Sequence, residues 1–272
     1  MRKYLFCLAL ICASLMSGFA QMPKQDKGSF YAYWGWNRGW YTKSDIRIYG
    51  SDHDFTLYDV QAKDLQSDFR FKTYFFVNRL TIPQTNVKAG YFLTDRYSVA
   101  FGFDHMKYKV VQNQSVIMDG YIDRVFSHYN GEYSNEEIRI AEDFLRYNHT
   151  DGLNYVFGEC NRHDQWWQSP GGKMKLRTEA GLGVALLRPR TDVAFLNYQG
   201  PNVYHNAGYG VHGKLGINLV LWKHFSVLSE VKGGFINMQN IRAEFDASSG
   251  AQQRFGFLQA NIHVGATFGF GK

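Results

Sequence analysis

From Leu258 to the end of the chain, apolar residues take every second position. Leu258, Ala260, Ile262, Val264, Ala266, Phe268 and Phe270 alternate with Gln259, Asn261, His263, Gly265, Thr267 and Gly269. A period of two is the period of a β-strand, and it turns one face to apolar surroundings and the other to polar ones. A strand in a soluble sandwich alternates in the same way over about five or six residues, whereas this one runs for about a dozen, long enough for a tilted strand to cross a bilayer. The chain is therefore expected to be all-β, an antiparallel transmembrane β-barrel of which this is the last strand.

The beginning of the sequence agrees. Arg2 and Lys3 precede an apolar run from Tyr4 to Met16, and Ser17-Gly18-Phe19-Ala20 supplies small residues at a cleavage site. Residues 1–20 read as a signal peptide cut after Ala20, and 21–272 as a single barrel domain. Cys12 follows Ile11, where a lipoprotein signal requires a small residue. Cys7 and Cys12 leave with the signal, so Cys160 stands alone, no intrachain disulfide forms, and the residue is expected to be a small buried side chain.

A mean hydropathy of −0.35 excludes a helical membrane protein. Aromatic residues at 17% and 27 glycines suit strands that set lipid-facing rings against small lumen-facing residues. Loss of Arg2 and Lys3 leaves 28 basic residues against 24 acidic ones, a net of +4 that is too mild and too scattered for a nucleic-acid partner.

Followed backwards, the same period yields eight strands. Tyr209 to Leu221 and Phe225 to Phe235 flank the short turn Trp222-Lys223-His224. Leu153, Tyr155 and Phe157 head a strand that Ser169-Pro170-Gly171-Gly172 joins to the alternation of Leu176, Thr178, Ala180, Leu182, Val184 and Leu186. Val87 to Leu93 leads through Thr94-Asp95-Arg96 into Tyr97, Val99, Phe101 and Phe103, and the first strand is Gly28 to Thr42. Tight turns after the second, fourth and sixth strands, with long connections elsewhere, give the asymmetry of bacterial outer-membrane barrels, with both termini periplasmic. Ten strands are the alternative if Phe55–Val60 and Phe69–Tyr74 enter the membrane. Charges interrupt a lipid-facing stripe in both, so an extracellular hairpin is expected.

The inward positions of these strands carry Lys88, Arg177, Glu179, His212, Lys214, Glu230, Lys232 and His263. In a narrow eight-stranded lumen, ions persist only if matched, so these residues are expected to form ion pairs that plug the barrel rather than line a gated path.

Signal, alternation, aromatic rims and loop asymmetry make the mature chain similar to small bacterial outer-membrane barrels of the OmpA transmembrane type. More narrowly, Trp34-Gly35-Trp36-Asn37, Asp54 to Val60, Ile82-Pro83-Gln84, Asp104 to Tyr108 and His149 to Val156 resemble a Bacteroidetes, hence Gram-negative, family of outer-membrane barrels with no assigned activity. The resemblance implies an address and a fold, not a chemistry. Such barrels end on an aromatic residue that the barrel-assembly machinery reads, whereas here Phe270 is followed by Gly271-Lys272.

Candidates for chemistry are few. His224-Phe225-Ser226 has the His-x-Ser spacing of lipid A 3-O-deacylases, yet it falls in a short periplasmic turn, away from the outer leaflet. Asp104 and His105, near the outer end of the third strand, face His149 and Asp151 at the outer start of the fourth. There a carboxylate could orient a base or the four could hold a divalent ion, although a hydrogen-bonded rim is the simpler reading. His163-Asp164 beside Trp166-Trp167 reads as part of the periplasmic aromatic girdle, with Trp222. The acidic run from Asn135 to Asp143 reads as a solvated loop face. Tyr58, Lys63, Arg70, Lys72 and Tyr74 of the first long loop could bind glycans or lipopolysaccharide phosphates. The expected role is therefore structural or surface-interactive, through the extracellular loops. A lipid A- or phospholipid-modifying enzyme and a narrow, porin-like solute channel are the alternatives. No cofactor or metal is implied. The expected partners are outer-membrane lipids, lipopolysaccharide and the assembly machinery, with the extracellular partner unidentified.

Overall fold

The computed structural model describes residues 26–68, 70–72, 83–222, 224–246 and 248–269. The residues read as a signal peptide and the terminal Phe270-Gly271-Lys272 lie outside them. In chain order the strands are β1 (Ser29–Tyr41), β2 (Ser44–Tyr49), β3 (His53–Val60), β4 (Ala62–Lys63), β5 (Thr85–Phe92), β6 (Tyr97–Val110), β7 (Ser115–Ile122), β8 (Gly131–Arg139), β9 (Leu145–Gln168), β10 (Met174–Leu187), β11 (Asp192–Phe195), β12 (Tyr198–Gln199), β13 (Gly208–Leu221), β14 (Phe225–Ile241) and β15 (Gly250–Gly269).

Eight of them close a ring. β1, β5, β6, β9, β10, β13, β14 and β15 pair in that order, all antiparallel, and β15 pairs back onto β1. The three tight turns and four long connections fall where the sequence places them. A hydrogen-bonded circuit that starts at Tyr31 passes Gly90, Ala100, Glu159, Gly183, His212, Gly234 and Phe257 and returns to β1 at Tyr41, ten residues further along. Such a stagger goes with a strand tilt of about 40° and an interior that side chains can fill.

The outer surface carries an apolar belt. Phe101, Leu182, Val184, Leu215, Ile217, Val231 and Ile262 are all exposed on it. On β10 the outward positions run from Leu176 to Leu186, ten residue steps, which at about 3.3 Å per residue and about 40° of tilt span roughly 25 Å, the height of a lipid-facing band. Tyr97, Trp166, Trp167 and Trp222 rim the turn end, and Trp40 and Tyr209 the loop end. Cys160 lies exposed on this outward face, not buried, because β9 turns its even-numbered residues outward here.

Beyond the belt the wall does not stop. β2 prolongs β1 along the same edge of β15: Tyr41 pairs with Phe257, the Thr42 amide donates to the Gly256 carbonyl, and Asp45 pairs with Arg254. β3 pairs with β2 and β7, and β4 with the end of β6, so this hairpin stands over β5 and replaces it in the wall. Phe55–Val60 thus lies in a loop-end hairpin rather than in the ring, but its partner is β2 and not the segment from Phe69, of which 69 and 73–74 lie outside the described residues. β8 flanks β7, and β11 flanks the start of β9.

This extension encloses an apolar core. Ile46, Ile48, Phe55, Leu57, Met118, Phe144, Tyr147, Phe195, Met238 and Phe255 are buried in it. Leu153, Tyr155 and Phe157 also point inward and continue that core down toward the belt. The molecule therefore has a polar lumen at its turn end and an apolar, globular-type interior at its loop end.

Candidate functional site

Alternation sends every second residue of the ring into the lumen, and the stagger brings side chains from five strands to one level. Lys214 Nζ lies 2.7 Å from Glu159 Oε1, 2.6 Å from Glu179 Oε1 and 3.4 Å from Glu230 Oε2. Lys88 Nζ lies 2.9 Å from Glu230 Oε2 and 3.2 Å from Glu179 Oε1. All five side chains are buried. Three carboxylates thus surround two ammonium groups, and further donors meet the surplus charge. Asn261 Nδ2 donates to Glu230 at 3.0 Å and Asn161 Nδ2 to Glu159 at 3.1 Å. His212 Nε2 stands 3.2 Å from Glu159 Oε2, and its Nδ1 2.9 Å from the Tyr155 hydroxyl. A carboxylate only accepts, so this geometry assigns the proton to Nε2 and leaves Nδ1 to accept from Tyr155.

Of the other expected lumen residues, Arg177 pairs with Asp26, 2.7 Å away, rather than with Glu179, and Lys232 pairs with Asp104. His263 is buried with its ring edge-on to Tyr33. His163 belongs here too and not to the aromatic girdle: it is buried, 2.8 Å from Ser98 Oγ and 3.6 Å from Glu179 Oε2. From Leu153 to Gln165 the odd-numbered residues of β9 face inward, His163 among them, whereas the β-bulge opposite Leu176 and Arg177 leaves both Trp166 and Trp167 exposed.

Asp104, His105, His149 and Asp151 sit on paired strands but do not converge. Asp104 faces the lumen, where it accepts from Asn86 Nδ2 at 2.6 Å. His105, the next residue, faces the other way, stacks on Phe103 and lies 3.0 Å from Asn154 Oδ1. His149 is inside the loop-end core, between Thr191 Oγ1 at 2.9 Å and Gln253 Oε1 at 3.2 Å. Asp151 is exposed, 3.8 Å from Arg190 Nη1. Consecutive strand residues point to opposite faces, so neighbouring positions in sequence cannot share one site here. Ser226 of the His-x-Ser match is buried inward, while His224 is exposed with Nδ1 3.0 Å from the Thr267 carbonyl oxygen. Among the described residues, no group of three or more His, Cys, Asp or Glu side chains is placed to hold a metal ion.

At the far loop end a different arrangement appears. Arg124, just after β7, donates Nε to Asp52 Oδ2 at 2.8 Å and Nη2 to Asp52 Oδ1 at 3.0 Å and to Glu244 Oε1 at 2.9 Å. Its guanidinium also lies 5.1 Å from the Phe195 ring centroid and 5.4 Å from that of Tyr198. Asp52, Glu244 and the Phe195–Tyr198 pair come from the other three long connections, so one side chain ties all four together. The carboxyl of Asp52 is pulled down to about 2, first by the hydrogen bonds from Arg124.

Sequence reasoning omitted Glu159, Asp26 and Arg124 from the site. Glu159 had a signal: two residues after Phe157 on the same strand, it shares that residue's face. Arg124 had none, because its partners are 72 and 120 residues away. Tyr58, Lys63, Arg70 and Lys72 are exposed on the loop-end surface, and Tyr74 lies outside the described residues.

No protein-family model and no curated protein matches the sequence. Among solved structures the chain is similar to the outer-membrane protein OprG of Pseudomonas aeruginosa, at 10% identity over 90% of this chain and 98% of that one, with a TM-score of 0.36. It is also similar to Ail, the attachment invasion locus protein of Yersinia pestis, at 8% identity over 89% of this chain and 99% of that one, with a TM-score of 0.32. Likeness at this level assigns neither a ligand nor a partner.

Proposed function

We propose that this chain is a bacterial outer-membrane β-barrel with a structural or surface-interaction role, which holds an ordered β-structured head outside the cell and does not conduct solutes. The observation that carries the reading is the filling of the interior at two successive levels. Ion pairs centred on Lys88 and Lys214 occupy the lumen within the belt, and an apolar core around Phe55, Tyr147 and Phe255 occupies the barrel above it. A hydrated path would have to break matched buried charges and then cross a dry core, and both are costly. The apolar belt of about 25 Å with aromatic rims supports the membrane address. Short turns at one end and long ordered connections at the other support placing the head outside and both termini in the periplasm. Outer-membrane lipids and lipopolysaccharide are then the lateral partners, and the barrel-assembly machinery the route of insertion.

Two measurements test this reading. The protein should fractionate with outer membranes and migrate faster on gels before heating than after, as closed barrels do. In planar bilayers it should show no stable single-channel conductance. Recovery in the soluble periplasm would refute the address, and a large steady conductance the plugged lumen.

A further inference from the structure

We infer that the tip of the head, around Arg124, is a docking site for a basic, apolar segment of a second protein. The inference rests on the surface-interaction reading above and adds the chemistry of the partner.

Three features meet at this tip. The first is exposed apolar surface: Phe126 is fully exposed at 102%, and Val125, Phe245 and Tyr198 are exposed at 72%, 78% and 64%. A soluble surface seldom gathers large apolar side chains in one place unless something covers them. They flank two clefts of about 160 and 520 Å³ that share Arg124, Val125 and Tyr198 as a common wall. The apolar groups therefore present relief into which a partner side chain can insert.

The second feature is strain. Phe126 is held at a φ of +63°, at the third position of the turn that the Ser127 amide closes on the Arg124 carbonyl, a place that favours glycine. A bulky residue in the left-handed region is a genuine outlier, because its Cβ crowds the backbone. Strain of this kind persists only where the surroundings over-determine it. The Arg124 clasp, which joins four connections, supplies that constraint. The strain gives the fold nothing in return, since the Phe126 ring packs on no core; its effect is to present an aromatic ring to the outside.

The third feature is charge, and it selects the partner. Asp52, Asp143, Glu244 and Asp246 line the clefts, and the single guanidinium among them is already engaged by two of these carboxylates. The rim is therefore net negative around an apolar centre. A segment with lysine or arginine flanking aromatic or aliphatic side chains complements both properties, whereas an acidic segment would be repelled.

The test uses the mature full-length protein in nanodiscs of zwitterionic lipid, with empty nanodiscs subtracted. Three short synthetic peptides serve as probes: one alternating lysine and phenylalanine, one with glutamate in place of lysine, and one with serine in place of phenylalanine. The lysine–phenylalanine peptide should bind, and the other two should bind at least about tenfold more weakly. Phe126→Gly and Phe245→Ser should each lower that affinity about tenfold. Phe126→Gly should at the same time leave the unfolding midpoint unchanged or raise it, since glycine tolerates positive φ, a combination that a purely structural role for the ring would not produce. Equal binding of the glutamate peptide, or unchanged affinity in both variants, would overturn the inference. Phe126→Cys in a Cys160→Ser background, labelled on intact cells with a membrane-impermeant maleimide, separates the two levels of the argument. Labelling without selective peptide binding sinks the docking site alone; failure to label sinks the surface reading as well.

Discussion

Lys232 Nζ stands 2.7 Å from Asp104 Oδ2, with both side chains buried, and 3.9 Å from the centroid of the Phe157 ring. The pair marks the level at which the charged lumen gives way to the apolar core of the head. A carboxylate that sequence proximity groups with His105 is in fact matched across the barrel, from the strand four places along the ring.

That match is expected to be felt in stability. Lys232→Met leaves Asp104 buried with its amide partner only and should cost about 3–5 kcal/mol, as for other broken buried pairs. The double variant Lys232→Met/Asp104→Asn removes both charges, keeps an acceptor for Asn86, and should recover most of the loss. Urea midpoints in lipid vesicles give the coupling, and strictly additive effects would show that the two groups do not interact.

Arg124→Ala should release the head without opening the barrel. Loss of its bonds to Asp52 and Glu244 frees the four connections from one another. Proteinase K is expected to cut at the loop end at least about tenfold faster, since cleavage follows local opening, while heat-modifiable migration persists. Arg124→Lys should not restore protection, because an ammonium cannot make the forked contact with Asp52 and the second bond to Glu244 together.

Acid should loosen the head first. His149 is completely buried in a neutral hydrogen-bonded setting, and burial lowers its imidazole from 6.5 to about 4. The unfolded chain therefore binds a proton that the folded head does not between those values. The stabilisation is complete above about pH 6.5 and declines, by something on the order of 3 kcal/mol, as the pH falls to about 4. Asp52 adds a second step in the same direction: its lowered carboxyl stabilises the fold above about pH 3.8, and this is lost as the pH falls toward about 2. Amide exchange in β9 and β15 at pH 7.5, 5.5 and 4 should show the first step, and His149→Asn should flatten it from a lower baseline. Protection factors that rise on acidification, once the intrinsic slowing of amide exchange is divided out, would contradict the assignment.

Gly120→Ala should unpair the head sheet. Gly120 has a φ of +124°, and a Cβ there would sit 2.1 Å from the Asp54 carbonyl oxygen. The residue closes the bulge where β7 shifts register against β8. Faster exchange at the β3 and β7 amides is expected, with the ring strands unaffected. Gly213→Ala in β13, where a Cβ would meet the Leu182 side chain at an ordinary 3.5 Å, is the milder control.

Much of this architecture is readable along the chain. A period of two sustained over a dozen residues is a local property, so the ring strands, their tight turns and most of their inward and outward faces follow from residue order. Lys88, Glu179, Lys214, Glu230 and Lys232 are identifiable as lumen residues for that reason. Where the period serves a different purpose it misleads: Leu153, Tyr155 and Phe157 alternate like belt residues yet fill the head core, because above the belt the apolar face of a wall strand is the inner one. Cys160 and His163 exchange their expected places through the same inversion.

By itself, then, the sequence determined the strand period, the count of eight and the loop asymmetry, since each is set by neighbours a few residues apart. Only the tertiary structure decided the pairings across the lumen, the replacement of β5 by the β3–β4 segment above the belt, and the gathering of four connections on Arg124. Those depend on the ten-residue stagger with which the sheet closes and on contacts between residues that stand 209 and 214 positions apart, and a sequence pattern carries no record of which distant faces will meet.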